Sequence, residues 1–421
     1  MIEDVYPSAA AESFQSARSS DPRRRRLRVA DAALEWLWSK GLATRPPLDP
    51  AALLAATAAS DLPDPSGWRH RLFLLCEALE QTARLTPLGR TMAYGQLAAA
   101  LRDRVRLERL WARHPAILDQ PLAPPIIIVG QMRSGSTRLQ RLLARDPRLA
   151  ATRFFESWNP VPRTLDRGWF DDRVWRARLG LALTRTLNPD FAAIHPTRWN
   201  AADEQIGWHA ISIFGAAFET QWRVPAFTAE VESTDPTPVY REFRRLLQTV
   251  TWLRGDDGAR AHVLKIPQFA QDLDAILRVF PDATILRLDR NPVPVVASSA
   301  SLARNQMELQ STAVCPHWLG RETLRKVALR HERTEATLRR AAVPHLRIDY
   351  DAMTANWESE IGRVYDHLRL PLTAAVHMAM QEELDRSRRH QLHRHRYALA
   401  DYGLTAGQVQ AAMAMREQCA A

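Results

Sequence analysis

The sequence predicts an α/β fold in which a P-loop-like parallel β-sheet is flanked by helices and preceded by an all-helical N-terminal extension. Residues 126–129 form an apolar, β-branched run, which is typical of a strand buried on both faces of a parallel sheet. A turn with a glycine at each end, residues 130–135, leads from this run into leucines at helical spacing. Two later apolar runs, residues 261–267 and 283–289, are each followed by a helical pattern, as expected for strands joined by crossover helices.

The 421 residues divide into three parts by composition and periodicity. Residues 1–25 are small and polar and predict a disordered lead-in. Residues 26–120 show helical spacing without a strand pattern and predict a helical cap or a dimerisation region, which makes a homodimer one expected assembly. Residues 121–421 form the predicted α/β domain. Within this domain we expect a helical insertion that forms a ligand pocket at residues 160–250 and a C-terminal closing segment at residues 386–404.

Two more strands complete the predicted sheet. A short strand is expected at residues 152–155 and a last one at residues 345–350. Helical patterns fill the spaces between the later strands and follow the last one, at residues 268–279, 293–302, 322–341 and 357–368.

Charge and cysteine content exclude several classes of protein. The formal net charge is +10, but the excess comes almost entirely from arginine, and the chain has three lysines (Lys40, Lys265 and Lys326). Such a bias is weak evidence for a nucleic-acid partner, and no DNA-binding pattern accompanies it. A nucleic-acid partner is therefore not expected. Three widely spaced cysteines indicate neither a disulfide framework nor a zinc site. No leader-like start and no apolar run near the ~18 residues of a membrane span occur, so a cytoplasmic protein is expected.

The turn at residues 130–135 differs from the ATP-binding P-loop in one important position. Gly130 and Gly135 have the P-loop spacing, but Ser136 stands where that motif has its lysine, and the basic residue is Arg133 instead. Loss of the lysine argues against a metal-dependent small-molecule kinase, because this lysine contacts the γ-phosphate. Backbone N–H groups at a helix N-terminus, with one positive charge beside them, suit a 5′-phosphate. A βα turn with incidental glycines and serines is the alternative.

Lys265 and Arg290 both follow buried strands, and ligands of open α/β sheets bind outside the carboxyl ends of the strands. Arg290 lies eight residues before Ser298, so both can face one anion at a strand-to-helix junction. Arginine offers a forked donor and serine a hydroxyl, a pairing that suits a phosphate. A surface ion pair of Arg290 is the alternative.

Residues 386–396 form a run of arginines and histidines that ends at Tyr397. Taken alone, such a run predicts a solvated basic tail. After a sheet that binds a nucleotide, the same run could fold over the phosphates, and Arg394, Arg396 and Tyr397 are then the candidate contacts.

Four of these segments resemble motifs of the PAPS-dependent sulfotransferases, in particular of their bacterial branch. Residues 133–138 (Arg-Ser-Gly-Ser-Thr-Arg) resemble the 5′-phosphosulfate loop, and Arg290 with Ser298 resembles the 3′-phosphate motif. Residues 263–267 resemble the Leu-Lys-Ser-Pro element, and residues 395–404 resemble the C-terminal signature. The resemblance extends from about residue 120 to the C-terminus.

Two positions depart from the pattern of the bacterial branch. Ile266 stands where the branch usually has serine, and Phe269 stands where it often has histidine. A base at this second position is therefore not expected.

The resemblance implies PAPS as co-substrate and 3′,5′-ADP as product. Arg133 and Lys265 are expected to stabilise the charge on the leaving oxygen, because transfer of this kind depends on positioning and on electrostatics. The sequence shows no cluster of metal ligands, so no metal is expected. The candidate nucleotide contacts are Arg133, Ser134, Gly135, Ser136, Thr137 and Arg138 for the 5′-phosphate and Arg290 and Ser298 for the 3′-phosphate.

Two residues are candidates for the general base that accepts the proton of the acceptor. Glu156 follows the second strand and resembles the catalytic glutamate of those sulfotransferases that take the base from that strand. His195 has the better intrinsic pKa, and Asp203 and Glu204 rank after it. A structural role for Glu156 or His195, such as a helix cap or an ion pair, is an equal alternative.

The acceptor is expected to be a small or lipid-like molecule with a hydroxyl group, and an amine is the less favoured choice. Seven of the thirteen tryptophans lie between Trp158 and Trp252, which indicates an apolar or aromatic part on the acceptor. Packing of these rings between helices explains them equally well. A non-catalytic nucleotide-binding homologue is the remaining alternative.

Overall fold

The computed structural model describes the chain in five segments. They are residues 22–163, 171–190, 196–341, 343–389 and 397–420. Of the predicted disordered lead-in, residues 1–21 lie outside these segments. The helical region begins at Pro22 rather than at residue 26, and a proline at the first position of a helix loses no hydrogen bond there.

Between residue 22 and the first strand the structure has four helices, as the helical spacing of this region predicts. Side chains cap two of them: Asp49 accepts a hydrogen bond of 2.7 Å from the Ala52 N–H, and Thr86 accepts one of 3.0 Å from the Gly89 N–H. Both caps are followed by a proline, whose fixed φ suits the first helical turn. The four helices are α1 (Pro22–Ser39), α2 (Pro50–Thr57), α3 (Trp68–Gln81) and α4 (Pro87–Arg113), and a 3₁₀ turn follows at Pro115–Asp119.

The sheet consists of five parallel strands, which are β1 (Ile126–Gly130), β2 (Leu149–Ala151), β3 (Ala261–Lys265), β4 (Thr284–Asp289) and β5 (His345–Asp349). The strand order is β2-β3-β1-β4-β5, with Ile128 of β1 aligned with Lys265 of β3 and with Leu286 of β4. The predicted parallel α/β fold is confirmed. β1 lies between β3 and β4, and all three strands are parallel. Their carboxyl ends therefore lie side by side next to the turn after β1, which is where open α/β sheets bind their ligands.

Alternate side chains of β1 enter two hydrophobic cores, one on each face of the sheet. Ile127 packs in one core with Tyr240 and Phe243. Ile128 packs in the other with Leu142, from the helix that follows the turn. All four residues 126–129 are buried, and each such side chain contributes about 1.5–3 kcal/mol to folding. This central strand therefore holds the turn after it in a fixed place.

The second strand is shorter than predicted and lies earlier in the chain. β2 ends at Ala151, and in place of the predicted strand at residues 152–155 there is an isolated bridge at Arg153 and the start of a helix. The carboxylate of Glu156 accepts a hydrogen bond of 2.7 Å from the Arg153 N–H and so caps this helix. The local cap therefore outweighs the strand preference of the two phenylalanines at 154 and 155.

The region between β2 and β3 is largely helical where the structure describes it. That residues 160–250 form a ligand pocket stays a prediction. No described helix is both long enough and apolar enough to cross a membrane. The helices after β1 are α5 (Ser136–Leu143), α6 (Phe154–Trp158), α7 (Arg173–Leu187), α8 (Ile206–Ile211), α9 (Ala216–Glu219), α10 (Pro225–Ser233), α11 (Thr237–Leu253), α12 (Phe269–Val279), α13 (Pro292–Gln310), α14 (Pro316–Ala341), α15 (Tyr350–Ala355), α16 (Trp357–Leu368), α17 (Ala374–Arg389) and α18 (Ala406–Ala420), with a 3₁₀ turn at Leu399–Tyr402 before the last.

The N-terminal helices and the insertion share one hydrophobic core. Trp222 of the insertion packs with buried side chains of α3 and α4. Across the same contact, the guanidinium of Arg104 donates two hydrogen bonds, of 2.9 and 2.8 Å, to the buried carboxylate of Glu242. Trp208 and Trp222 are fully buried, so these two rings fill helix interfaces, whereas Trp175 is 59% exposed.

Candidate active site

The turn between β1 and α5 presents a row of backbone donors. The N–H groups of Gly135, Ser136 and Thr137 bond to no acceptor among the described residues. This follows from helix geometry, because the first N–H groups of a helix have no partner within it. Ser134 fixes the turn, since its N–H and its hydroxyl both donate to the Gln131 carbonyl, at 3.2 and 2.7 Å. The donors and the dipole of α5 together suit an anion.

Gly135 is a position where another residue would not fit. Its φ is +86°, and a Cβ there would lie 2.9 Å from Cδ2 of the Tyr350 ring. Arg133 also has a positive φ, of +67°, which is uncommon for a residue other than glycine. The turn therefore takes its shape partly from its contact with Tyr350, the residue that follows β5.

The two predicted phosphate motifs lie against each other. Nε of Arg133 donates a hydrogen bond of 3.1 Å to the Ser298 hydroxyl, and Arg290 donates one to the Arg133 carbonyl. Burial lowers the pKa of the Arg133 guanidinium, and the neighbouring Arg290 lowers it further. Two guanidinium groups this close, in a partly buried place, form a site of positive potential for an anionic ligand.

Tyr350 supports the second of these arginines. The guanidinium carbon of Arg290 lies 3.8 Å from the centre of the Tyr350 ring, and that of Arg138 lies 5.7 Å from it. Both contacts are cation–π interactions, which orient a guanidinium without neutralising it. Sequence reasoning missed Tyr350, although its place directly after the last strand was a signal that could have been used.

Lys265 lies at the carboxyl end of β3 and is 2% exposed. Its ammonium group donates a hydrogen bond of 2.9 Å to the Thr137 hydroxyl and forms an ion pair with Glu204. Its backbone N–H donates to the side-chain oxygen of Gln205, at 2.9 Å. The predicted lysine and the predicted loop threonine are thus in direct contact, and a carboxylate stands beside them.

Comparison with protein families identifies the group to which this arrangement belongs. Residues 124–374 match the sequence model of the sulfotransferase family, a match that includes more than half of the chain. The chain belongs to the sulfotransferase family. Its enzyme class is therefore that of the PAPS-dependent sulfotransferases. A comparison with curated proteins gives no match.

Two solved structures of mycobacterial sulfotransferases are similar to this sulfotransferase. STF1 from Mycobacterium tuberculosis H37Rv is 27% identical with a TM-score of 0.74, and the alignment covers 89% of this chain and 99% of that one. STF9 from Mycobacterium avium is 21% identical with a TM-score of 0.73, and the alignment covers 87% and 94% of the two chains. The similarity in fold therefore extends well beyond residues 124–374.

Glu156 of the sulfotransferase is fully engaged in structural contacts. One carboxylate oxygen accepts a hydrogen bond of 2.7 Å from Nε of Arg254, and the other accepts from the same guanidinium and from the Arg153 N–H. The side chain of Glu156 is 1% exposed. This geometry favours the structural role that the sequence left open, whereas Glu204 is the carboxylate that contacts Lys265.

Three predicted site residues, His195, Arg394 and Arg396, lie outside the described residues. Tyr397 is described and partly buried, and it lies near enough to Arg133 to influence the pKa of that guanidinium. Sequence reasoning ranked Glu204 low because no strand or motif precedes it. Its neighbour Gln205, which binds the backbone of β3, could have drawn attention to this segment only through the fold.

The described residues fit the nucleotide that the family uses. The N–H groups of the loop that bond to no described acceptor, with the hydroxyls of Ser136 and Thr137, suit a 5′-phosphate, and Arg290 with Ser298 suits a 3′-phosphate. Among these described residues there is no group of three or more histidine, cysteine or acidic side chains arranged to hold a metal ion.

Proposed function

We propose that this sulfotransferase moves a sulfuryl group from PAPS to a hydroxyl group of a small acceptor. The observation that carries the proposal is the contact of Arg133 with Ser298 and Arg290, because it joins the loop after β1 to the helix start after β4. One nucleotide can then be held at both of its phosphates. The 5′-phosphate accepts hydrogen bonds from the loop, and the 3′-phosphate from Arg290 and Ser298.

Charge at the leaving oxygen is stabilised by Lys265 and Arg133. In the transfer, the acceptor oxygen forms a bond to sulfur while the bond between sulfur and the bridging phosphate oxygen breaks. The bridging oxygen keeps the electron pair and leaves as part of 3′,5′-ADP. Lys265 contacts Thr137 of the loop, which supports this role for its ammonium group. We expect no need for a metal ion, since these two cations supply the compensating charge.

Glu204 is the carboxylate that we favour as general base. It pairs with Lys265 and therefore lies beside the proposed transfer site, whereas both oxygens of Glu156 are held by Arg254 and Arg153. When Lys265 turns to the leaving oxygen, Glu204 loses its partner and can accept the acceptor proton. His195 stays a second candidate for this role. An acceptor with an apolar part suits the partly exposed aromatic rings between β2 and β3, such as that of Trp158.

Titration calorimetry with three nucleotides tests the proposed binding mode. We expect 3′,5′-ADP to bind at least ten times more tightly than 5′-AMP, because 5′-AMP lacks the 3′-phosphate that Arg290 and Ser298 would contact. Replacing Arg290 by alanine should remove this difference and leave the affinity for 5′-AMP within about threefold. ATP with Mg²⁺ should bind more weakly than 3′,5′-ADP. Equal affinity of the native protein for 3′,5′-ADP and 5′-AMP would contradict the assignment of the 3′-phosphate site.

Transfer itself is measured with radiolabelled PAPS and a panel of alcohols, phenols and amines. We expect labelled product with at least one hydroxyl acceptor, with an undiminished rate in the presence of EDTA. Preferential labelling of amines would contradict the proposed acceptor chemistry. Tight binding of 3′,5′-ADP without transfer to any acceptor or to water would indicate a non-catalytic homologue.

A further inference from the structure

A cavity lies along one edge of the sheet, beside β2. It has a volume of about 520 Å³, and seven of its lining residues are arginines, among them Arg141, Arg145, Arg153, Arg198, Arg254 and Arg260. We call this cavity, between α5, β2 and residues 198–202, the edge cleft. Its size is within the range of small-molecule sites, which are commonly about 300–1,000 Å³.

The edge cleft is separate from the nucleotide site. The loop that suits a 5′-phosphate follows β1, and β3 lies between β1 and the edge strand β2. The lining of the edge cleft includes Arg145 and Pro147, from the end of α5 and the turn before β2, and none of the residues from 130 to 140. A ligand here would therefore not compete for the same donors.

Three of the seven arginines that line the edge cleft pair with a carboxylate of the protein. Arg254 pairs with Glu156, and Arg260 pairs with Asp256. The two acidic residues that line the cleft are also engaged. Asp146 accepts hydrogen bonds from Arg148 and Tyr365, and Glu383 accepts one from Arg386.

Four arginines have no carboxylate partner among the described residues. Arg141 donates to the carbonyls of Pro196 and Ala202, and Arg145 donates to that of Ala379, which are neutral acceptors. The exposed side chains of Arg153 and Arg198 form no hydrogen bond or ion pair within the described part of the chain. Four guanidinium groups without a carboxylate partner in the described part of the chain give this concave space a positive potential that attracts an anion.

We propose that the edge cleft binds a small molecule that carries two or more phosphate or sulfate groups. Arginine forks match the geometry of these oxyanions, and four of them can serve two groups at once. A concave space of this size encloses a small molecule, whereas a long polyanion such as nucleic acid binds along an open surface. The ligand can be a part of the acceptor or a separate effector, since both share this chemistry.

The position of the edge cleft gives its ligand a route to the transfer site. Ala202 lines the cleft, and Glu204, which pairs with Lys265, comes two residues later, so their Cα atoms lie at most about 7 Å apart. Arg141 donates to the Ala202 carbonyl from α5, the helix whose first turn belongs to the nucleotide loop. An anion that draws Arg141 away from this carbonyl therefore loosens the segment that carries Glu204.

Titration calorimetry with inorganic pyrophosphate tests the proposal on the full chain, at constant ionic strength set with NaCl. A separate titration with 3′,5′-ADP first reports on the nucleotide site, and pyrophosphate is then added to the 3′,5′-ADP-saturated protein. We expect one pyrophosphate per chain, bound at least ten times more tightly than orthophosphate. Replacement of Arg153 and Arg198 by alanine should weaken pyrophosphate at least tenfold and change 3′,5′-ADP affinity less than threefold.

The matched control removes two exposed arginines of α4, Arg102 and Arg109, which lie outside the edge cleft. It should bind pyrophosphate like the native protein. The single variant Arg198→Glu, at an exposed position, gives the same test if the double variant fails to fold. Absence of pyrophosphate binding, or an equal loss in the α4 control, would overturn the proposal. With active enzyme, an effect of pyrophosphate on kcat indicates an effector, and an effect on the KM of the acceptor alone indicates an acceptor subsite.

Discussion

The ammonium group of Lys265 forms an ion pair with Glu204 at a place that solvent hardly reaches, at the carboxyl end of β3. Such a pair is costly to desolvate, and its attraction compensates for this only if further hydrogen bonds complete it. Here Thr137 supplies one of them, and Gln205 holds the backbone of the lysine. The pair therefore connects the loop after β1 to the segment between α7 and α8. A ligand that separates Lys265 from Glu204 would therefore change the contacts of the loop after β1 and of the segment between α7 and α8.

Replacing Lys265 by methionine should reduce kcat about 10²–10³-fold, because the leaving oxygen loses its nearest positive charge. Affinity for 3′,5′-ADP should change less than tenfold, since the backbone donors of the loop remain. Steady-state kinetics and calorimetry measure the two effects. The matched control is Lys326→Met, which breaks the ion pair of Lys326 with Glu219. Similar kinetics of the two variants would contradict the role of Lys265.

Glu204 and Glu156 should respond differently to the same substitution. We expect Glu204→Gln to lower kcat of the folded enzyme about 10²–10⁴-fold, because a general base has been removed. Glu156→Gln should lower the free energy of unfolding by about 3–5 kcal/mol, since Arg254 loses its buried partner, while folded enzyme keeps most of its activity. Urea denaturation and initial rates separate the two outcomes. The reverse result would assign the base to Glu156.

Replacing Tyr350 by leucine should weaken 3′,5′-ADP about 3–30-fold, because Arg290 loses the ring that orients it. The variant Tyr350→Phe keeps the ring and should bind within about threefold of the native protein. Calorimetric titration of both variants with 3′,5′-ADP measures the effect. If the phenylalanine variant were as weak as the leucine variant, the hydroxyl and not the ring would be responsible.

Asp272 should make the protein less stable as the pH rises. Burial raises the pKa of this carboxyl group to about 7, against the opposing effect of a hydrogen bond from Tyr240. The folded state then binds more protons than the unfolded state between about pH 4 and pH 7, so the free energy of unfolding falls across this window. Asp272→Asn should flatten the dependence and stabilise the protein at pH 8 by a few kcal/mol. Thermal unfolding of the native protein and of the variant at pH 5, 6, 7 and 8 measures this pH dependence of stability.

Asp146 provides a control of opposite sign for this experiment. Burial would raise its pKa, but hydrogen bonds from Arg148 and Tyr365 lower it below the ordinary value. Its contribution is therefore present at neutral pH and is lost as the pH falls below about 4. Asp146→Asn should destabilise the protein at pH 7 and leave the slope between pH 5 and pH 8 unchanged. A flattened slope in this variant as well would show that the slope does not come from Asp272.

Local patterns were sufficient for four of the five strands and for the turn after β1. The β-branched run of β1 and the glycine spacing after it depend on neighbouring residues, so they are readable in the sequence. The strand predicted at residues 152–155 was wrong because the cap formed by Glu156 outweighs strand preference there. Burial of that same carboxylate against Arg254 depends on residues far apart in the chain, and no local pattern encodes it.

The partners of the site were the least predictable part. Glu204 meets Lys265 only because β3 and the segment after α7 are brought together by the sheet. Tyr350 meets Arg290 because β5 pairs with β4, and its pairing partner cannot be known from the order of residues. Motif spacing predicted which residues would face the nucleotide, but not which residues hold them in place.

Gly135 is synthesised early in the α/β domain, whereas the ring of Tyr350 that packs against it follows the last strand. On the ribosome, the loop exists for most of the synthesis of the domain without the side chain that shapes it. A nascent or truncated chain that ends before β5 should therefore lack the proposed nucleotide site, however well its earlier strands have formed. PAPS could then stabilise only finished chains, and it would offer no protection to incomplete translation products against degradation.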